Sequence, residues 1–126
     1  MARTPPKHLR LGQKAEEQAR RFLSKRGLKL VTRNYRSPYG EIDLIMRERN
    51  ALVFVEVRYR RDESHGLAAE TIDHRKQSRI RATAEHFLLS NKHWADRPCR
   101  FDVIGLSGDL DGTIRAGSIH WYPDAF

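Results

Sequence analysis

The chain has 126 residues, 39% hydrophobic and 32% charged, and 24 Lys and Arg against 16 Asp and Glu leave a formal net charge of +8. This size and balance fit one globular domain with a modest core and argue against a disordered chain. A single cysteine, Cys99, excludes an internal disulfide and a thiolate metal cluster, and no apolar run approaches the ~20 residues of a membrane-spanning helix.

Residues 1–8 read as a basic mobile tail, with two prolines and no apolar stretch of a signal peptide, so the expected protein is cytoplasmic. One domain is expected over residues 9–126. From Leu9 to Arg26 the pattern is helical, with Leu11, Ala15, Ala19, Phe22 and Leu23 on one stripe and Gly27 placed to end it. A short strand over residues 28–35 follows. Two strong strand patterns, Glu41–Glu48 and Ala51–Arg60, flank Arg49-Asn50, where Asn50 tolerates the positive φ of a tight turn. Arg61 to Ala69 reads as a mobile loop. Thr71 or Asp73 caps a second helix running to about Asn91. Strands at Arg100–Leu106 and Ile114–Tyr122 complete the chain. A strand–helix–strand unit over residues 51–106 makes two strands parallel, which gives an α/β domain with a mixed sheet flanked by helices.

The hairpin carries the candidate chemistry. Pairing Glu48 with Ala51 sets Asp43 opposite Glu56 and Glu41 opposite Arg58. By the period of two, Ile42, Leu44, Met46, Val53, Val55 and Val57 share a core face, while Glu41, Asp43, Ile45, Phe54, Glu56 and Arg58 share the other. Two carboxylates about 5 Å apart repel by roughly 3 kcal/mol at an effective dielectric of about 20. A divalent cation offsets that, since Mg²⁺ favours paired carboxylates together with phosphate oxygens and water. The bland alternative is a charge ladder in which Arg58 pairs with Glu41. In the first helix Glu16 borders the apolar stripe and can reach the sheet, whereas Glu17 turns to solvent.

In the second helix Ile72, Lys76, Ile80, Ala84 and Leu88 form one stripe. Lys76 either snorkels out of it or points at a phosphate in the cleft. Arg33, Arg36, Arg60 and Arg61 border the expected site and suit phosphate contacts. Tyr35, Tyr39 and Tyr59 divide between base stacking and packing. The histidines lack zinc spacing, and Cys99 lacks a nucleophile signature and reads as a packed small hydrophobe. A net charge of +8 favours a polyanionic partner.

These residues resemble the YraN family of predicted nucleases over nearly the whole chain. The resemblance is carried by Gly12-x-x-Ala15-Glu16-x-x-Ala19, Gly40-Glu41-Ile42-Asp43-Leu44-Ile45 and Phe54-Val55-Glu56-Val57-Arg58. Lys76, Arg100-Phe101-Asp102-Val103 and Ala125-Phe126 extend it. It implies a restriction-endonuclease-like fold near archaeal Holliday junction resolvases. It also implies a Mg²⁺ or Mn²⁺ site held by Asp43, Glu56 and the Val57 carbonyl, with Glu16 as the helix carboxylate. The function implied is cleavage of structured DNA in repair or recombination, and a homodimer if the substrate is a symmetric junction. Arg58 departs from the family's lysine; an arginine stays protonated and cannot act as a base. That departure keeps open a second reading, a non-catalytic nucleic-acid-binding module on the same fold, beside a third, a protein-interaction domain.

Overall fold

The computed structural model describes residues 7–60, 67–108 and 114–126, and side chains over 12–60, 67–108 and 118–126. The elements follow the expected order: α1 (Lys7–Ser24), β1 (Lys29–Ser37), β2 (Gly40–Glu48), β3 (Ala51–Arg60), α2 (His74–Ser90), β4 (Cys99–Gly108) and β5 (Ile114–Tyr122). Lys7 and His8, expected in the tail, already belong to α1. Of the expected tail and loop, residues 1–6 and 61–66 lie outside the described residues. Two 3₁₀ turns, Ala68–Thr71 and Lys92–Trp94, are too short to carry a periodic signal and were not anticipated.

The strands form one sheet in chain order, with β3 and β4 parallel and the other neighbours antiparallel. This is the mixed α/β sheet flanked by helices that the pattern predicts. Gly27, at φ 96°, ends α1 as expected, where the Leu28 amide donates to the Leu23 carbonyl at 3.1 Å. Asp73 caps α2 by accepting from the Lys76 amide at 2.8 Å. The β2–β3 turn differs from expectation, because Arg49 rather than Asn50 takes the positive φ, at 56°.

Both faces of the sheet are core. Ala15, Ala19 and Leu23 of α1 pack on Leu44, Met46, Val53, Val55, Ile104 and Leu106. On the opposite face Ile72, Ile80, Ala84 and Phe87 cover Ile42, Ile45, Leu52, Phe54 and Val103. Expecting one core face on the hairpin was therefore wrong for Ile45 and Phe54, which are fully buried. A strand paired in parallel and covered by helices on both sides is apolar on both sides. Ile42 also changes side: it joins Ile45 against α2 instead of Leu44 against α1. The alternation of β2 thus breaks at Asp43.

Cys99 is exposed at the start of β4, not packed as expected, and its thiol reaches only the Arg97 carbonyl at 3.5 Å. Asp102 is wholly buried. It accepts from Arg100 Nε at 3.0 Å, Trp121 Nε1 at 2.9 Å and the Asp124 amide at 2.9 Å, which ties the C-terminal segment to β4. Phe126 then stacks on Phe101 with centroids 5.2 Å apart. The C-terminal residues that extend the family resemblance are packing residues.

Candidate active site

The site exists because β2 and β3 separate. Their ladder runs from Glu48↔Ala51 to Leu44↔Val55, the register read from the sequence, and ends there. Beyond it the Val57 amide donates to Asp43 Oδ2 at 2.8 Å, so a carboxylate takes the place of a strand carbonyl. Strand β3 continues against β4 as far as Arg60↔Ser107. The opening is a cleft of about 320 Å³ lined by Gly12, Ala15, Glu16, Asp43, Val57, Arg58 and Tyr59. Glycine and alanine on the first turns of α1 leave the room that larger side chains would fill.

Asp43 and Glu56 are brought together as expected, within hydrogen-bonding reach of each other. Burial, then the Glu56 charge, pushes the Asp43 carboxyl up to about 8. Glu56 is raised too, by burial, although Lys76 Nζ lies 3.3 Å from its Oε1 and opposes the shift. Asp43 faces the cleft, while Glu56 sits behind it, turned to Lys76. Burial thus favours a proton on Asp43, while Lys76 and, after it, Arg58 offset the charge of Glu56. Lys76 neither snorkels away nor faces solvent alone; it enters the site from α2.

Glu16 reaches the cleft from α1 as expected, and its carboxyl is raised by burial and by Glu41. Glu17 was expected to turn away, but it also reaches the sheet, pairing with Arg33 at 3.4 Å as well as with Arg20 and Arg21. Glu41 pairs with Arg36 at 3.4 Å, across the β1–β2 register. The charge ladder between Glu41 and Arg58 therefore does not form. Arg58 Nε instead donates to Thr71 Oγ1 at 3.1 Å, and its side chain lines the cleft. Gly105, the partner of Arg58 on β4, makes this contact possible. A Cβ there would stand 2.5 Å from Ala68 Cβ, so only glycine lets the 68–71 turn rest on the sheet.

Arg60 follows Arg58 along β3, and Arg61 lies outside the described residues. The tyrosines separate cleanly. Tyr35 packs edge-on against Phe87 and bonds His86 Nδ1 at 2.6 Å, Tyr59 lines the cleft, and Tyr39 stands 58% exposed at the β1–β2 tip. Sequence reasoning missed Asn34 and Thr71. Asparagine inside a strand pattern was the signal for the first, since it favours turns and the left-handed region.

Among the described residues no three His, Cys, Asp or Glu side chains gather into a metal cage. Two carboxylates, a carbonyl, water and substrate oxygens are nonetheless the mixture that Mg²⁺ accepts. A carboxyl pushed up to about 8 by burial and then by a neighbouring carboxylate is one whose charged form a divalent cation would favour.

Residues 15–106 match the model described as Uncharacterised protein family UPF0102, the family of the YraN proteins. A UPF0102 protein of Nitrosococcus oceani is 44% identical over 122 residues, covering 97% of this chain and 95% of its own. One from Shewanella baltica is 47% identical, covering 92% of this chain and 98% of its own. One from Pseudomonas putida is 45% identical over 93% of each chain. Among solved structures, that of Pyrococcus furiosus SfsA in complex with Ca²⁺ is 14% identical, with a TM-score of 0.42. That likeness covers 88% of this chain and 63% of the SfsA chain.

Proposed function

The chain belongs to the UPF0102 family, and we propose that its cleft is the active site of a metal-dependent endonuclease-like phosphodiesterase acting on structured DNA, on a restriction-endonuclease-like fold. The observation that carries this reading is the close Asp43–Glu56 pair in a chain of net charge +8, with Glu56 buried, Asp43 half-buried at the cleft and Lys76 Nζ 3.3 Å from Glu56. Asp43, Glu56 and the Val57 carbonyl would hold Mg²⁺ or Mn²⁺. The ion, when bound, supplies positive charge where the phosphoryl oxygens become more negative.

The chain's own residues account for the rest. Glu16, its carboxyl raised by burial and by Glu41, accepts a proton from water on the α1 side of the cleft. Arg58 holds the scissile phosphate by charge and hydrogen bonds, with Thr71 fixing its Nε. Lys76, on a flexible and partly exposed stem, leaves Glu56 and takes a phosphate oxygen instead. Arg36 and Arg60 flank the cleft and contact neighbouring phosphates, with Arg33, through the α1 side, extending that surface.

Arg58 in place of the family's lysine favours a second reading, a module that binds nucleic acid without cutting it. The test is incubation of branched and linear DNAs with Mn²⁺ and wild type, Arg58→Lys or Arg58→Ala. Cleavage that persists or rises in Arg58→Lys and is lost in Arg58→Ala, with Mn²⁺ affinity kept in both, supports the nuclease. Intact DNA binding with no cleavage by wild type or Arg58→Lys would give the binding module the case.

A further inference from the structure

Asn34 stands in β1 between the pairs Arg33↔Leu44 and Tyr35↔Ile42, so the register sets it opposite Asp43. Its φ is 52°, left-handed backbone in the middle of a strand. That conformation breaks the alternation of β1 at the position where β2 breaks its own. The side chain lies between two carboxylates from different elements. Its amide nitrogen reaches Glu16 Oε2 at 2.7 Å, Glu16 Oε1 at 3.3 Å and Glu41 Oε1 at 3.1 Å. The nitrogen is assigned to that side because the oxygen would otherwise face only acceptors.

Left to themselves, Glu16 and Glu41 repel, and each has somewhere else to go. Glu16 is only half-buried on α1, and Glu41 has Arg36. One amide with two N–H groups holds both. We propose that Asn34 is a positioning residue of the cleft, clamping Glu16 of α1 and Glu41 of β2 so that their charge stays beside the Asp43–Glu56 pair. The proposal rests on the reading of that pair as a divalent-cation site. Asn34 touches neither ligand; it acts through the carboxylates around them, as outer-shell hydrogen bonds do for metal ligands.

A purely conformational role makes the opposite forecast. Glycine adopts φ 52° more easily than asparagine does, so Asn34→Gly would then be harmless or stabilising. The clamp instead requires Asn34→Gly to weaken Mn²⁺ binding by about tenfold, the lower end of outer-shell losses, with the melting temperature kept. A second variant tests the hydrogen bonds directly. Asn34→Gly is repeated in a chain carrying Glu16→Gln and Glu41→Gln, where no carboxylates remain for the amide to hold. There it should change Mn²⁺ affinity by less than about threefold.

The experiment is calorimetric titration of the full chain and these variants with MnCl₂, beside their thermal melts. Weakening in Asn34→Gly that vanishes in the Glu16→Gln and Glu41→Gln background supports the clamp. Unchanged affinity in Asn34→Gly, with wild type binding, overturns the clamp and leaves the cation site standing. The same loss in that background assigns the effect to packing at position 34 and also overturns it. No Mn²⁺ binding by wild type removes the cation site and the clamp together.

Discussion

Replacing Asp43 by asparagine tests the site without any substrate. Asp43 is pushed from 3.8 to about 8 in the folded chain, so folding tightens its hold on a proton. The sign follows: the stability contributed by this group is complete below pH 3.8 and is lost as pH rises toward 8. From pH 4 to pH 7, about three pH units at ~1.4 kcal/mol each amount to on the order of 4 kcal/mol. Direct repulsion between two carboxylates at about 5 Å gives roughly 3 kcal/mol, the same scale. Asparagine imitates the protonated acid: its Oδ1 still accepts from the Val57 amide, and its Nδ2 donates toward Glu56. In EDTA the melting temperatures of wild type and Asp43→Asn should therefore nearly coincide at pH 4 and differ by roughly 10 °C at pH 7, with the variant higher. Saturating Mn²⁺ should raise the wild type and leave the variant where it was. Thermal melts at the two pH values decide the matter. A variant less stable at pH 7, or an offset independent of pH, would refute the argument.

Two further expectations separate the roles of other charges. Asp102→Ala removes a wholly buried carboxylate, leaves Trp121 Nε1 and the Asp124 amide without their acceptor and reduces Arg100 to its Glu48 pair, so it should cost about 3 kcal/mol in urea melts while Mn²⁺ affinity stays unchanged. A weakened Mn²⁺ affinity there would move Asp102 into the site. Nucleic-acid affinity should fall with salt at a log–log slope of several units, measured by fluorescence anisotropy, and a flat response would remove a polyanion from the account.

Much of this molecule is written in its sequence at short range. Element order, the hairpin register and the parallel strand pair all follow from apolar periods and a two-residue turn. The proximity of Asp43 and Glu56 follows from that register alone. What periodicity cannot carry is a place where the period fails. Ile42 crosses to the α2 face and Asn34 turns left-handed, and the cleft opens between those irregularities. A strict alternation carried through Asp43 therefore produced a Glu41–Arg58 pair that does not form. The 68–71 turn was equally hidden, since the space it needs comes from the missing side chain of Gly105 on a distant strand. Arg58 finds Thr71 only because of it.

The same carboxylates that suit a cation should also make its binding and that of DNA depend on each other. On the proposed function the outer arginines would draw a polyanion toward the protein, but Glu16, Glu41, Asp43 and Glu56 act on one another in and around the cleft and oppose any phosphate that enters it. A phosphate at about 5 Å from even one unneutralised carboxylate meets roughly 3 kcal/mol of repulsion, against which Lys76 and Arg58 supply single charges. If Asp43 and Glu56 hold a divalent ion, that local sign would be reversed and Lys76 would be free for the phosphate. Because coupling between two bound species is reciprocal, DNA must then raise the affinity for the ion by the factor the ion raises the affinity for DNA. That factor should be about tenfold or more, the usual scale of such coupling. Anisotropy titrations of DNA with and without Mn²⁺, at constant ionic strength, measure one arm, and Mn²⁺ calorimetry with and without DNA measures the other. Asp43→Asn should abolish the coupling while keeping the salt-dependent background. Equal DNA affinity in EDTA and Mn²⁺ would mean that the phosphate never approaches Asp43, and the cleft would no longer be the place where nucleic acid is held.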